Sequence, residues 1–122
     1  MKAIIAVNNL SFIGIDDRLL WYNKEDLKFF KEMTLNQRLL VGYRTYQSLP
    51  LLKNRELVVD ERDKLIIDNI DWCIGGKKTY EKYCHLFTEL HISHINDNSV
   101  GNVTFPNLEK LNSECVIYNH YY

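Results

Sequence analysis

Asn23-Lys24-Glu25-Asp26-Leu27-Lys28-Phe29-Phe30-Lys31-Glu32-Met33, followed closely by Leu39-Leu40-Val41-Gly42, sets a helix ahead of a strand. Stepping about 100° per residue from Asp26, Phe30 and Met33 fall within about 40° of it, and Phe29 and Leu27 flank them. Lys24, Glu25, Lys28, Lys31 and Glu32 take the other side. The pattern predicts a helix over residues 24–33 with Asn23 as its N-cap. Residues 39–41 are too short for a helix and apolar throughout, as a strand covered on both faces is. Working outward, similar runs stand at residues 3–7, 57–59, 65–67, 72–74, 90–95 and 115–118, with further helical stretches at 77–87 and near 45–49. Strands interleaved with helices predict an α/β fold, a mostly parallel central sheet flanked by helices.

The 122 residues are one domain's worth of chain, with no repeat, linker or low-complexity tract. With 46% hydrophobic and 25% charged residues, the composition excludes disorder, collagen-like repeats and a coiled coil. A formal charge of −1 gives no general pull toward nucleic acid or a membrane surface, and no apolar run approaches membrane-spanning length. The N-terminal run reads as a strand, not a signal peptide. Cys73, Cys84 and Cys115 are odd in number and widely spaced, which suits packing in a reducing cytoplasm.

Asp26 stands in the middle of an otherwise apolar helix face. Two readings follow. It bonds free backbone N–H groups of the first turn beside Asn23, or it is a desolvated carboxylate lining a pocket, with a raised pKa and a proton to give.

Gly42-Tyr43-Arg44-Thr45 and Gly75-Gly76-Lys77-Lys78-Thr79 each follow an apolar run and open a helical stretch. Such turns are common in α/β chains, yet glycine admits close approach and the uncapped N–H groups attract anions. Two of them fit a ligand with several phosphates. No Gly-x-Gly-x-x-Gly occurs, and Asp71 stands where a P-loop needs glycine, so ordinary Rossmann and Walker sites are excluded. His91 and His94, three apart in a strand, point to opposite faces and make poor joint metal ligands; His85 and His120 have no partner that spacing identifies. No metal site is expected, and no Gly-x-Ser-x-Gly elbow supports a hydrolase.

Taken in order, Ala6-Val7, Ile13-Gly14, Trp21 through Asp26-Leu27, Phe30, Thr34, Gly42 with Thr45, Ile74-Gly75-Gly76, Tyr80-Glu81, His94-Ile95 and Thr104-Phe105-Pro106 resemble dihydrofolate reductase from Met1 to about Pro106. The resemblance implies NADPH-dependent reduction of 7,8-dihydrofolate to tetrahydrofolate on a dihydrofolate-reductase-like sheet, with antifolates as further ligands. It implies that Asp26 holds the pterin and promotes protonation of N5, that Trp21 holds a water, and that Ser93, in place of a usual Thr, bonds Asp26. Ile4, Ala6, Leu27, Phe30, Leu49, Ile74 and Tyr80 would line the substrate pocket, and Arg55 would clamp the folate carboxylate. Val7, Ile13, Gly14 and Leu19 would face the cofactor, the last three within a closing loop at residues 13–20. Gly42, Arg44, Thr45, Gly75, Gly76, Lys77, Lys78 and Thr79 would receive its phosphates, with a cis peptide between the two adjacent glycines. Arg62 would meet the 2′-phosphate, although Asp60 and Glu61 beside it oppose one.

The chain departs from the family in length. Residues 107–122 leave room for a turn and one strand where the family has two long antiparallel strands. The shortened sheet would expose an edge that a second copy covers, with Tyr118, Tyr121 and Tyr122 suited to such a homodimer contact or to local packing. A non-catalytic binding module and a riboflavin-pathway pyrimidine reductase remain as alternatives; Trp21 and Asp26 speak against the latter.

Overall fold

The structure is a computed structural model that describes residues 1–16, 19–50, 52–66 and 68–122. Strand β1 (Lys2–Asn8) is followed by β2 (Phe12–Gly14), helix α1 (Lys24–Thr34), β3 (Arg38–Val41), α2 (Tyr43–Ser48), β4 (Glu56–Val59), β5 (Trp72–Cys73) and α3 (Lys77–Tyr83). A 3₁₀ turn (Cys84–Leu86) extends α3, and β6 (Glu89–Ile95), β7 (Val103–Thr104) and β8 (Val116–Tyr121) complete the chain. Six strands form one sheet in the order β4-β3-β5-β1-β6-β8, and every neighbouring pair is parallel. β2 and β7 make a separate antiparallel ribbon.

Side-chain alternation along the strands divides the core between two faces. On one, Phe29, Phe30 and Met33 of α1 cover Ile4, Leu39 and Trp72. On the other, Tyr80, Tyr83, Cys84 and Phe87 cover Ala3, Ile5, Leu40, Cys73 and Leu90. Burial on both sides is why the central strands read as unbroken apolar runs. The indole of Trp72, fully buried, donates to Gln37 Oε1 at 2.6 Å, which satisfies its one polar atom.

The topology fixes where a ligand can sit. β3 leads outward to β4, whereas its neighbour β5 leads across β1 to β6. Connections leaving adjacent strands in opposite directions open a crevice beyond their C-terminal ends. Gly42 follows β3 there and Gly75 lies just past β5, joined by a hydrogen bond from Gly42 N–H to the Gly75 carbonyl at 2.7 Å.

One expected strand is absent. Leu65 and Ile66 form no strand; Ile66 packs against the core from a loop, and its N–H donates to the Tyr83 hydroxyl at 2.8 Å instead of to a neighbouring strand. Ile67, the last residue of that expected strand, lies outside the described residues, as do Asp17 and Arg18 of the expected loop and Leu51. The C-terminal segment does form a turn and one strand. That strand, β8, adds parallel to β6 from Glu89↔Val116 to His94↔Tyr121.

Candidate functional site

The ambiguity over Asp26 is resolved by Asn23. Its side-chain Oδ1 accepts from the Asp26 N–H at 2.9 Å, so the first turn is capped without the Asp26 carboxylate. Asn23→Ala should cost about 1 kcal/mol of stability, read from urea unfolding. The freed carboxylate is buried. Burial raises its pKa, opposed by the Ser93 hydroxyl and by the charge of His120. Ser93, fully buried on β6, closes no hydrogen bond of good geometry among the described residues, so the site holds an unsatisfied polar atom beside the carboxylate.

The β1–β6 register sets Ala6 opposite Ser93, and Ile4 two residues earlier on the same face packs with Phe30 and Ile74. Tyr80, buried on α3, donates its hydroxyl to the Ile4 carbonyl at 2.6 Å, and burial holds its pKa well above the ordinary value. Its ring lies against Gly75, whose φ of +116° few side chains tolerate. Leu27 is half-buried and opens a groove of about 680 Å³ along the outer side of α1 that ends at Arg55. Arg55 donates to Thr34 Oγ1 at 3.2 Å and to the carbonyls of Lys53 and Lys31, which sets its guanidinium at the C-terminal end of α1. Trp21 and Leu49 are half-buried.

The two glycine turns meet face to face. A Cβ on Gly42 would stand 2.5 Å from Thr79 Oγ1, and one on Gly76 would stand 2.8 Å from Thr45 Oγ1. Gly42 and Gly76 are the N-cap residues of α2 and α3 and give neither helix a side-chain cap, leaving backbone N–H groups open to an anion. The Gly75–Gly76 peptide is cis. Arg44 and Lys78 are exposed at these turns, and Lys77 Nζ donates to Thr104 Oγ1 at 2.6 Å. The donor set and the room that only glycine leaves fit a phosphorylated cofactor.

Arg62 is exposed beyond β4. Its acidic neighbours are both paired: Asp60 with Lys82 at 3.0 Å, and Glu61 with Lys64 at 3.2 Å. The expected opposition to a phosphate is thereby reduced. Val7 lines a second groove of about 450 Å³ with Ile92, His94 and Phe105, while Ile13 packs on the core and Gly14 is buried in the β2–β7 ribbon. Leu19 is exposed and is not drawn to these groups. Asn102 ties the loop after β2 in place, accepting from Asp16 N–H at 2.9 Å and donating to Asp16 Oδ1 at 2.8 Å. Sequence reasoning missed the partnership of His120 with His91, which rests on the β6–β8 register.

Comparison with known proteins gives this arrangement its context. The family pattern described as Dihydrofolate reductase matches residues 1–73. Dihydrofolate reductase type 5 of Escherichia coli is 30% identical over 117 residues, covering 79% of this chain and 74% of the relative. The dihydrofolate reductase of Buchnera aphidicola subsp. Schizaphis graminum is 27% identical over 127 residues, covering 87% and 78%. Among solved structures, dihydrofolate reductase from Enterococcus faecalis, complexed with NADP(H) and RAB-propyl, superposes with a TM-score of 0.73 at 24% identity, covering 88% of this chain and 77% of that one. With a sequence pattern matched over more than half its length and the same fold, the chain belongs to the dihydrofolate reductase family.

Proposed function

We propose that the chain, acting as a single domain, reduces 7,8-dihydrofolate to 5,6,7,8-tetrahydrofolate with NADPH, and that Asp26 grips the pterin and promotes protonation of its N5. One observation carries the assignment of Asp26: a buried carboxylate on the apolar face of α1 has been relieved of capping by Asn23 and faces an unsatisfied Ser93 hydroxyl. A pterin offers an amino group and an adjacent ring N–H, two parallel donors that a carboxylate accepts together. Ile4, Ala6, Phe30, Ile74 and Tyr80 supply the apolar walls, and Trp21 holds the water nearby. Leu27 and Leu49 border the benzoyl-glutamate tail, whose carboxylate meets the Arg55 guanidinium.

The cofactor, when bound, supplies the hydride that goes to C6. The bond reduced is C6=N5, so N5 must gain a proton from the protein side. Desolvation keeps the Asp26 proton bound to a higher pH than an exposed carboxylate would keep it, and Asp26 delivers it through a water as general acid. Gly42, Arg44, Thr45, Gly75, Gly76, Lys77, Lys78 and Thr79 hold the cofactor's phosphates, and Arg62 its 2′-phosphate. Val7, Ile13 and Gly14 border the nicotinamide. Loss of NADPH absorbance on mixing the purified protein with dihydrofolate tests the reading; a folded protein that binds neither compound by calorimetry overturns it in favour of a non-catalytic module.

The same reading extends to assembly and compartment. Among the described residues β8 borders β6 on one side only, and Val116, Ile117, Tyr118 and Tyr121 are exposed along it. The strand carries no Lys, Arg, Asp or Glu, the usual protection of a free edge, whereas the opposite edge strand begins with Glu56. A second copy covers this edge. Sedimentation velocity should find a dimer that Ile117→Lys converts to monomer, and a monomeric wild type rejects the contact. No described helix is long and apolar enough to cross a membrane, and the three thiols are free, in keeping with a cytoplasmic enzyme.

A further inference from the structure

The parallel register of β6 with β8 gives His91 and His120 to each other. On the sheet face that α1 covers, one row runs Ile4–His91–Tyr118 and the next runs Ala6–Ser93–His120. His120 is thus the direct neighbour of the serine that faces Asp26. His91 is buried, with Nε2 3.1 Å from Glu89 Oε1 and Nδ1 3.1 Å from His120 Nε2. An ionised carboxylate can only accept, so His91 carries a proton on Nε2; with the ring neutral its Nδ1 accepts and His120 Nε2–H donates. The open end of this one-way chain is His120 Nδ1, which has no hydrogen-bond partner among the described residues. The rings are fixed by stacking: the planes of His91 and His120 differ by 6°, and those of His91 and Tyr118 by 11°. Phe29, three residues beyond Asp26 on α1, lies 4.5 Å from the His120 ring between centroids.

We propose that His120 is a positioning residue for Asp26: held in one tautomer by His91 and Glu89, it sets, by gaining or losing a proton at Nδ1, the charge that the pocket carboxylate meets. This rests on the reductase reading for its consequence in catalysis, not for the coupling itself. The groups that face His120 are Asp26 from α1, His91 from β6 with Glu89 behind it, and Tyr118 and Tyr122 from its own segment, while His94 acts on it from the opposite face of the sheet. Burial and His91 hold the His120 pKa below the ordinary imidazole value, Asp26 draws it up, and His94 adds to the lowering. In return the His120 charge favours the Asp26 anion. The coupling is the same free energy seen from either group.

His120→Gln keeps an N–H for His91 but cannot take up a proton. Below the His120 pKa, where the wild-type ring is charged, its loss lets Asp26 keep its own proton to higher pH, so NADPH oxidation at acid pH should rise about two- to threefold relative to wild type, a third to half of a decade, and the two profiles should merge above that pH, where the wild-type ring is neutral too. Independently, the imidazole NMR titration of His120 should move to lower pH in Asp26→Asn, whose neutral amide no longer draws a proton to the ring. A folded His120→Gln with the wild-type pH profile, or equal His120 midpoints in wild type and Asp26→Asn, overturns the proposal. Should His120→Gln fail to fold, the titration pair decides alone. A wild type that does not oxidise NADPH with dihydrofolate removes the reductase reading while the NMR pair still reads the coupling.

Discussion

Asp26→Asn is expected to lower dihydrofolate turnover by about a hundredfold or more near neutral pH, the scale of a lost general acid. Because Asn cannot titrate, the fall in wild-type rate as pH rises through the Asp26 pKa should disappear in the variant. Stability should move the other way. Burial raises the folded-state pKa, so Asp26 binds its proton more tightly folded than unfolded. The stabilisation this represents is complete below the unfolded carboxylate's range and is lost as pH rises through the folded pKa. At neutral pH the desolvated anion opposes folding, and its neutral replacement does not. Asp26→Asn should therefore melt above wild type at neutral pH, with the gap closing toward acid, as expected of a residue kept for chemistry at a cost in stability. Unchanged steady-state turnover would remove Asp26 from the mechanism.

Gly42→Ala should be the most damaging single-carbon change at the cofactor end. Its Cβ would meet Thr79 Oγ1 at 2.5 Å, closer than real side chains approach, with the Gly75 carbonyl at 3.5 Å behind. Thr79 is buried at the start of α3, so relief requires moving the turn itself. The strain should cost about 1–3 kcal/mol in urea unfolding. NADPH binding should weaken tenfold or more by fluorescence titration, because about 1.4 kcal/mol of misplaced phosphate contacts suffices for that factor. Adding Thr79→Ala removes the collision, so the double variant should regain most of the stability lost in Gly42→Ala, a coupling of about 1 kcal/mol or more. It should not regain NADPH affinity, since Thr79 is itself a phosphate ligand in the proposed site. Independent, additive effects of the two substitutions would show that the turns do not press on each other.

The parts legible in the sequence are those whose cause is local. Helix α1 announced itself through its amphipathic spacing and Asn23, and the central strands through unbroken apolar runs. The Asp26 ambiguity was also local, yet its resolution needed the Asn23 side chain in place. Leu65 and Ile66 misled because an apolar pair can be buried from a loop when a side chain such as Tyr83 satisfies its backbone. The β2–β7 ribbon was invisible because segments of three and two residues exist only as a pair. Asp60 and Glu61 could be read as charges near Arg62, but not as charges already paired, since Lys82 reaches Asp60 from another element. His120 lay furthest from view. Its partner is 29 positions away, and only the register of two parallel strands joins them.

The placement of β1 has a consequence for how the protein is made. Its two flanking strands, β5 and β6, are both translated late, at Trp72–Cys73 and Glu89–Ile95. Until they are made, β1 has apolar side chains on both faces and no strand partner on either side. Such long-range pairing slows folding and leaves the nascent chain prone to association. The apolar faces of β1 are therefore left open until β6 has been made and paired with it.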